Sequence, residues 1–592
     1  MADDGGDAGG GEEVGGVAVV AGRDASEILE AAEHALNGVA VAIEERREAA
    51  FPFAIGLGRY VGRRAPILDP PTDRVGDDYY IATSTFEWYP GVQIHHSRDL
   101  ANWRLARRPL ERAAQLNLRG DPDSGGVWAP CLSYADVRFW LVYTDVKLLD
   151  GSFNDAHNYI VTAASIEGPW SDPTYVNSSG FDPSLFHGDD GRKWFVNMLW
   201  DHRDGSGAQR KHPAFAGILL QEWNAASGKL VGRPKTIFAG SRHGLAEGPH
   251  VHKRNGWCYL TTAEGGTGHD HAVTMARSRR IDGPYELHPN VHLLISKDAP
   301  HAALQCAGHG QIVVTPDGQV YHTHLCSRPL AGLRRSPLGR ETAIQKCVWR
   351  DDWLYLAEGG RVPAVDVPSP FSTEAEPRPR VQRIAFSPGA PPLDFQWLRT
   401  PRPDRILSLS ARPGWLRLIA RESIGSLFEQ VPVARRQEHF VYRAETEVDF
   451  QPLSFQQAAG LAAYYNRYKF HFLAVTWHET LGRALTILSC EGDYPEGRLA
   501  FPLSPPVALD AAAPVQLALS IDHARLQFSY ALSGEWRDIG PPLDASILSD
   551  EAGGGEHRSF TGAFVGMAAF DTSGGAIGAD FRYFEYEDRT KK

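Results

Sequence analysis

One strand–turn–strand pattern occurs five times between residues 69 and 327, and this repeat limits the possible folds more than any other feature. Each copy has a polar or aromatic head residue, a short apolar strand, a turn rich in Asp, Gly or Asn, and an aromatic-rich strand, which is typical of a β-hairpin. Five all-β units of about 60 residues predict a five-bladed β-propeller. The head residues, 54 to 65 positions apart, are Asp69, Trp128, Asp182, Glu247 and His309.

The five head residues are expected to lie close together. In a propeller, the same position of every innermost strand faces the same level of the central channel. A single Asp-Pro dipeptide such as Asp182-Pro183 is most often only a turn opener. Three acids at equivalent repeat positions, with Trp and His at the other two, favour a functional site at the channel mouth instead.

Carboxylates in a pocket with aromatic walls are suited to hydrolysing a glycosidic bond. One acid donates a proton to the leaving oxygen, and another attacks the sugar carbon or activates a water molecule. A third can keep the first protonated through its own negative charge. Phe86, Trp88 and Tyr89 are candidate sugar-binding residues, with core packing as the alternative for each. A Ca²⁺ ion held by the Asp and His heads is a competing hypothesis.

Composition and motifs exclude several other functions. The formal net charge of −12 argues against a nucleic-acid partner. No stretch approaches the roughly 18 apolar residues of a membrane span. The chain has neither a GxSxG nucleophile motif nor a P-loop, so neither a serine hydrolase nor an organic cofactor is predicted. The six scattered cysteines are interpreted as buried thiols. Self-association is left open.

The predicted fold class is all-β, with the propeller at residues 59–360 and an antiparallel β-sandwich of jelly-roll, lectin-like type at 393–592. The sandwich is indicated by short alternating strands with Gly, Pro and Asp turns. Prolines and charges mark 361–392 as a linker. Residues 1–58 are predicted to be a flexible leader with one amphipathic helix. This leader lacks the basic start and apolar stretch of a secretory signal, so the prediction is a cytoplasmic protein.

Long phrases of the chain resemble glycoside hydrolase family 43, and within it the two-domain β-xylosidases. They include "RVGDDYYIATSTFEWYPGVQIHHSRDLANW", "NSSGFDPSLFHGDDGRKWFVNMLWDHR" and "GLAEGPHVHKRNGWCYLTTAEGGTGHDHAVTMARSR". The likeness runs from about residue 66 to 356 and continues weakly to the end of the chain. It implies a five-bladed propeller and an inverting, exo-acting hydrolase that removes single sugars from the non-reducing end.

The resemblance also implies residue roles. Asp69 matches the general base, Asp182 the residue that tunes and orients the acid, and Glu247 the general acid. His309 matches a histidine near a frequently bound Ca²⁺ on the propeller axis. One loop of the sandwich, here 559–566, is expected to close the rim of the pocket. The substrate-binding residues implied are Phe86, Trp128, Arg340 and Phe560.

One segment departs from the family pattern. The family approaches its base through a phrase like "GFNPDPSI", whereas this chain has "RRAPILDPPTDR", with Pro71 and Thr72 in place of Ser and Ile. The second proline stiffens the strand start and removes a backbone donor. The leading hypothesis is a β-xylosidase acting on short β-1,4-xylo-oligosaccharides, with α-L-arabinofuranosidase side activity. The alternatives are mainly an α-L-arabinofuranosidase, or a sugar-binding pseudoenzyme with an impaired base.

Overall fold

A computed structural model describes residues 72–149, 151–203, 214–371, 378–510, 513–553 and 559–590. Over these ranges the protein is all-β, and two 3-10 turns, Pro403–Arg405 and Ala545–Ile547, are its only helical segments. Five propeller blades are followed by a β-sandwich, so the predicted fold class is confirmed. The predicted leader 1–58 and the predicted base Asp69 lie outside the described residues.

Each blade is an antiparallel sheet whose strands pair in chain order, apart from two short strands, β3 and β19. Strand β3 lies in the blade I stretch of the chain but pairs with the C-terminal domain, and β19 pairs with β20 beside β18 in the fifth blade. The strands are β1 Thr72–Val75, β2 Asp78–Thr83, β3 Trp88–Tyr89, β4 Gln93–Ser97 and β5 Arg104–Arg107 in blade I; β6 Gly126–Ala135, β7 Arg138–Leu148, β8 Asp155–Ala163 and β9 Thr174–Asn177 in blade II; β10 Ser184–His187, β11 Lys193–Trp200, β12 Phe215–Asn224 and β13 Lys229–Phe238 in blade III; β14 Glu247–Arg254, β15 Trp257–Glu264, β16 Ala272–Ser278 and β17 Glu286–Ile295 in blade IV; and β18 Gln305–Gly308, β19 Ile312–Val314, β20 Val320–Ser327, β21 Glu341–Arg350 and β22 Trp353–Leu356 in blade V.

The turn residues explain why the repeat folds as hairpins. Between β14 and β15, Asn255 and Gly256 both have left-handed backbones, with φ of 49° and 72°. A two-residue turn of this kind matches the right-handed twist of the flanking strands, and Asn-Gly is the sequence that adopts it most readily. The register Arg254↔Trp257 closes the hairpin directly around these two residues.

The C-terminal part is a sandwich of two antiparallel sheets. Strand β28 shows the pattern of a half-buried strand, because alternate residues face the core and the solvent side. One sheet has the order β25-β26-β37-β28-β33-β34-β35, with β23 also on β37, and the other has the order β3-β24-β27-β36-β29-β30-β31-β32. These strands are β23 Val381–Ala385, β24 Gln396–Leu398, β25 Leu407–Ser408, β26 Leu416–Ile419, β27 Val431–Arg436, β28 Val441–Asp449, β29 Gln457–Asn466, β30 Lys469–His478, β31 Gly482–Glu491, β32 Val507–Ala508, β33 Val515–Asp522, β34 Arg525–Leu532, β35 Glu535–Asp544, β36 Phe564–Asp571 and β37 Gly578–Asp588.

Strand β3 joins the propeller to the sandwich. Trp88 pairs with Leu398 of β24, and its ring stacks on Phe564 of β36 with ring centroids 3.8 Å apart. Trp88 and Tyr89 are both fully buried at this joint. The hypothesis that these two residues bind sugar is therefore wrong, because their rings are used to pack the two domains together.

Part of the segment interpreted as a linker belongs to the sandwich. Within 361–392, Val381–Ala385 forms β23 and pairs with β37 in the register Val381↔Glu587 to Ala385↔Tyr583. The following Phe386 is buried in the core. The prolines on either side of this strand favoured the linker interpretation, although the strand between them alternates in burial.

Across the part of the chain that the structure describes, no helix has the length and apolar character needed to cross a membrane.

Candidate active site

A cavity of about 260 Å³ is lined by Asp182, Glu247, His309 and the four substrate-binding residues that the family resemblance implies, but by neither Trp88 nor Tyr89. Asp69 is not among the described residues. This volume lies just below the range of roughly 300 to 1,000 Å³ that is usual for ligand pockets, so it suits one small sugar unit. Four of the five repeat heads converge here. The lining residues are Phe86, Trp128, Phe181, Asp182, Phe215, Leu245, Glu247, Gly266, Thr267, His309, Arg340 and Phe560.

A second, wider depression of about 550 Å³ lies between β17 and the outer strands of blade V. Its lining includes Asn290, Arg350, Tyr355 and Arg361 but no carboxylate. Because acid–base catalysis of glycoside cleavage needs carboxyl groups, the smaller cavity is the one suited to chemistry.

The two described carboxylates of the site belong to neighbouring blades. A backbone hydrogen bond connects one of them, Asp182, to the residue that follows the other, Glu247. Asp182 precedes β10, Glu247 begins β14, and both side chains are buried. The N–H of Gly248, the residue after Glu247, donates a hydrogen bond of 3.1 Å to Asp182 Oδ2. Next to it, Ser184 Oγ donates to the carbonyl of Pro249 at 2.6 Å. These bonds fix the position of Asp182 relative to Glu247.

His309 packs directly on the backbone of Gly248. A Cβ atom at Gly248 would lie 2.7 Å from Nε2 of His309, so only glycine allows this approach. The ring of His250 lies 5.9 Å from that of His309, centroid to centroid. Asp182, Glu247 and His309 are thus held against one short stretch of backbone although they come from three blades.

Irregular backbone is concentrated at the cavity. The inner strands β6, β14 and β18 each shift register at or next to the head residue, between Trp128 and Cys131, Glu247 and His250, and Gln305 and Gly308. Such bulges re-aim side chains and are frequent next to active sites. Strained left-handed backbones recur among the lining residues, and this kind of strain marks functional sites. They are Phe86 with φ 52°, Asp182 with 53°, Leu245 with 59° and His309 with 40°.

Aromatic rings form one wall of the cavity. The ring of Trp128 meets the rings of Phe181 and Phe560 edge to face, with centroids 5.2 and 5.7 Å away. Arg340 is buried, and its guanidinium carbon lies 5.4 Å from the Phe86 ring and 5.6 Å from the Phe560 ring. An aromatic wall next to a buried cation suits a sugar ring, which offers C–H groups on one face and hydroxyls at its edge.

The sandwich contributes Phe560, and several bonds fix its position. Its backbone N–H donates to Ser124 Oγ of the propeller at 3.0 Å. On one side, the buried Lys469 donates to Ser559 Oγ at 3.0 Å. On the other, the N–H of Thr561 donates to the hydroxyl of Tyr465 at 3.1 Å. Phe560 therefore reaches the cavity as part of an ordered contact between the two domains.

A buried ionic network lies behind the aromatic wall. Arg399 is completely buried, donates to Asp123 Oδ1 at 2.8 Å, and donates from Nε to the carbonyl of Asp121 at 2.8 Å. Asp123 also accepts from Arg467 at 2.8 Å. Glu87 accepts from the N–H of Ser124 at 3.0 Å. Burial raises the pKa of Glu87, and the Arg399 guanidinium opposes that rise.

This network holds the pocket wall through Ser124. The carbonyl of Ser124 accepts from Trp128 Nε1 at 2.7 Å, while its hydroxyl receives the Phe560 bond. Arg399 itself belongs to the sandwich side of the joint, directly after β24. The geometry of the pocket wall therefore depends on contacts between the two domains.

Replacing Arg399 by Met should lower the free energy of unfolding by about 3–5 kcal/mol, because Asp123 and Glu87 would stay buried without the cation between them, and Asp123 would keep only the Arg467 bond. Chemical denaturation measures this change. Arg402→Met is the matched control and should change stability little, since Arg402, three residues after Arg399, forms an exposed pair with Asp404. Equal effects of the two substitutions would contradict the role given to the network.

Comparison with known proteins identifies the family of this chain. The family description Glycosyl hydrolases family 43 matches residues 64–354, and the Beta xylosidase C-terminal Concanavalin A-like domain matches residues 383–587. The chain belongs to glycosyl hydrolase family 43. As a member, it is a glycoside hydrolase with a five-bladed catalytic propeller and a concanavalin A-like C-terminal domain.

Similarity to individual members of family 43 extends over nearly their whole length. The chain is 59% identical over 531 residues to Xylosidase/arabinosidase 43B of Humicola insolens, covering 88% of this chain and 97% of that protein. It is 46% identical over 540 residues to a Beta-xylosidase of Bacillus subtilis, covering 88% and 98%. The crystal structure of xylan beta-1,4-xylosidase from Bacillus halodurans C-125 superposes with a TM-score of 0.85 at 48% identity, covering 90% of this chain and all of that one.

Some cavity residues were missed in the sequence although their neighbours were found. Phe181 directly precedes Asp182, and Leu245 lies two positions before Glu247, so both could have been taken from the same phrases. No sequence pattern indicated that Phe215, Gly266 or Thr267 would line the site. They reach the cavity through the folding of blades III and IV.

Proposed function

We propose that this glycoside hydrolase is a β-xylosidase that releases xylose from the non-reducing end of β-1,4-xylo-oligosaccharides, with inversion at the anomeric carbon. One observation carries the proposal: two buried carboxylates, Asp182 and Glu247, lie in a small aromatic-walled cavity suited to a single sugar. The names of the relatives, xylosidase/arabinosidase and β-xylosidase, support xylose as that sugar.

In the proposed mechanism, Glu247 is the general acid that protonates the leaving oxygen. Asp182, held by the Gly248 N–H, orients Glu247 and keeps it protonated by adding negative charge beside it. Asp69 is the general base that activates the attacking water, as the family motif implies. Arg340 binds sugar hydroxyls, while Phe86, Trp128 and Phe560 pack against the ring and exclude water.

The stereochemical outcome tests the assignment of base and acid. Inverting enzymes keep their two carboxyls about 6.5–9.5 Å apart to hold a water molecule, whereas retaining enzymes keep them about 5–5.5 Å apart. A β-xyloside should therefore release α-xylose first. NMR of the first product formed is the measurement, and early β-xylose would contradict the inverting mechanism.

Substrate preference is tested with two nitrophenyl glycosides, the β-D-xylopyranoside and the α-L-arabinofuranoside, and with xylobiose. We expect kcat/KM to be higher for the xyloside and xylobiose to be split to xylose. A much higher value for the arabinoside would instead make the protein mainly an α-L-arabinofuranosidase. Calorimetric binding of xylose without turnover of xylobiose would indicate a sugar-binding pseudoenzyme.

We also propose a Ca²⁺ or similar divalent ion near His309. Burial lowers the pKa of His322 well below its ordinary value, and the nearby His324, His250 and His309 lower it further, so this ring is neutral. Both ring nitrogens of His322 lack a hydrogen-bond partner among the described residues. Within those residues, no group of three His, Cys, Asp or Glu ligand atoms surrounds His309.

These imidazoles suit a hydrated cation, because Ca²⁺ prefers oxygen ligands and would keep water molecules as its contacts here. His309 would contact the ion through one of these water molecules, and His322 would bind the water around it. When bound, the ion would supply positive charge near the sugar; it would not generate the nucleophile.

Chelation should test the ion proposed near His309. Treatment with EDTA should lower the rate of xyloside hydrolysis, the melting temperature or both, and added Ca²⁺ should restore the lost property. Zn²⁺ should not substitute, because the expected ligands are mainly water oxygens. Unchanged activity together with an unchanged melting temperature would rule the ion out.

A further inference from the structure

A second group of ligand atoms lies beside the active-site cavity. The Nδ1 or Nε2 atom of His269, the Sγ atom of Cys306 and a carboxylate oxygen of Glu551 all lie within 4.8 Å of one another. In the described part of the chain, no other three such side chains come so close. The sequence alone gave no sign of this group, because its members are separated by 37 and 245 residues.

The three residues come from three parts of the fold. His269 lies in the loop between β15 and β16 of blade IV, Cys306 lies in β18 of blade V, and Glu551 belongs to the sandwich. His269 is two residues after Thr267, which lines the cavity, and Cys306 is three residues before His309. The group therefore lies where the propeller contacts the sandwich, next to the active-site cavity.

The spacing of the sulfur and nitrogen ligand atoms fits an ion with tetrahedral coordination. Cys306 Sγ lies 3.8 Å from His269 Nδ1. Ligand bonds of about 2.3 Å to sulfur and 2.0–2.1 Å to nitrogen, at a tetrahedral angle, put the two ligand atoms about 3.6 Å apart. The Glu551 carboxylate is already oriented, because it accepts from Ser336 N–H at 2.7 Å and from Ser336 Oγ at 2.9 Å. Such supporting bonds are typical of metal ligands.

We propose that His269, Cys306 and Glu551 form a binding site for a thiophilic divalent transition metal ion such as Zn²⁺. One thiolate, one imidazole and one carboxylate are ligands that zinc accepts, with water in the fourth position. Metal binding releases the thiol proton of Cys306 to solvent, so affinity rises with pH. This donor set includes a thiolate, whereas the ion proposed near His309 would be held mainly by water.

Arg334 is a neighbour whose charge opposes the ion. Its side chain is exposed, and its Nε lies 3.4 Å from His269 Nε2, on the ring nitrogen that does not face Cys306. Binding through Nδ1 leaves the ring proton on Nε2, so Arg334 must turn away into solvent. Removing this cation should therefore strengthen metal binding.

The test is a titration of the full chain with Co²⁺ and Zn²⁺ after treatment with chelator. Co²⁺ bound to a thiolate absorbs in the near ultraviolet, so the spectrum reports the sulfur ligand without reference to activity. We expect one equivalent to bind with this absorption, and Zn²⁺ to displace it. Cys306→Ala should abolish the absorption, and His269→Ala and Glu551→Gln should each weaken binding at least about tenfold.

The matched control is Cys347→Ala. Cys347 is another buried thiol of blade V, in β21, and its loss should leave the titration unchanged. Because Glu551 is exposed, Glu551→Gln tests the site without disturbing the core. Absorption that persists in Cys306→Ala, equal affinity of the wild type and Glu551→Gln, or weaker binding in Arg334→Ala would each overturn the proposal.

Discussion

Replacing Glu247 by Gln should lower kcat/KM for xylobiose by about 10²–10⁴-fold, because the leaving sugar oxygen would then depart without a proton. An aryl xyloside with a nitrophenol leaving group needs little protonation, so its hydrolysis should fall far less. The ratio of the two effects is the informative measurement. It separates loss of a general acid from general damage to the fold, which would slow both substrates equally.

A control for Glu247→Gln is available in the same blade. Glu286 begins β17, is exposed, and pairs with Arg277 at the surface, so Glu286→Gln should leave both activities unchanged. If Glu247→Gln slowed xylobiose and the nitrophenyl xyloside by the same factor, Glu247 would not be the general acid.

Replacing Asp69 by Ala should slow both substrates by about 10²–10⁴-fold alike, because attack by water requires the base whatever the leaving group. Parallel rate measurements on xylobiose and the nitrophenyl xyloside check this expectation. The exposed Asp77, at the β1–β2 turn of the same blade, provides the control Asp77→Ala, which should retain both activities.

Activity of the Asp69→Ala protein comparable to that of the wild type would remove Asp69 from the mechanism. The Asp69 substitution tests the least conventional part of the site, because Pro71 and Thr72 depart from the family phrase directly after this residue. A wild-type enzyme that binds xylose and hydrolyses neither substrate would point to the same segment as the defect.

The repeat was sufficient to predict the propeller and to bring the heads together. Turn chemistry such as Asn255-Gly256 sets the hairpins locally, and the repeat period sets which residues face the channel. For that reason Trp128, Asp182, Glu247 and His309 could be grouped from the sequence although 181 residues separate the first from the last.

The partners of the aromatic residues could not be predicted in the same way. Phe86 and Trp88 stand two positions apart, yet Phe86 faces the cavity and Trp88 stacks on Phe564 of the sandwich. Both are buried aromatic residues, and no local pattern distinguishes a ring that will pack against sugar from one that will pack against another domain.

The sequence by itself determined the class of fold, the family and most of the residues at the cavity, because those depend on repeat period, turn chemistry and long matching phrases. Only the tertiary structure shows which residues of the sandwich contact the propeller and complete the cavity. Arg399 meets Asp123 across 276 residues, Phe560 meets Ser124 across 436, and Glu551 meets Cys306 across 245. Such contacts have no sequence signature, since burial and pairing of these groups arise only when the two domains pack.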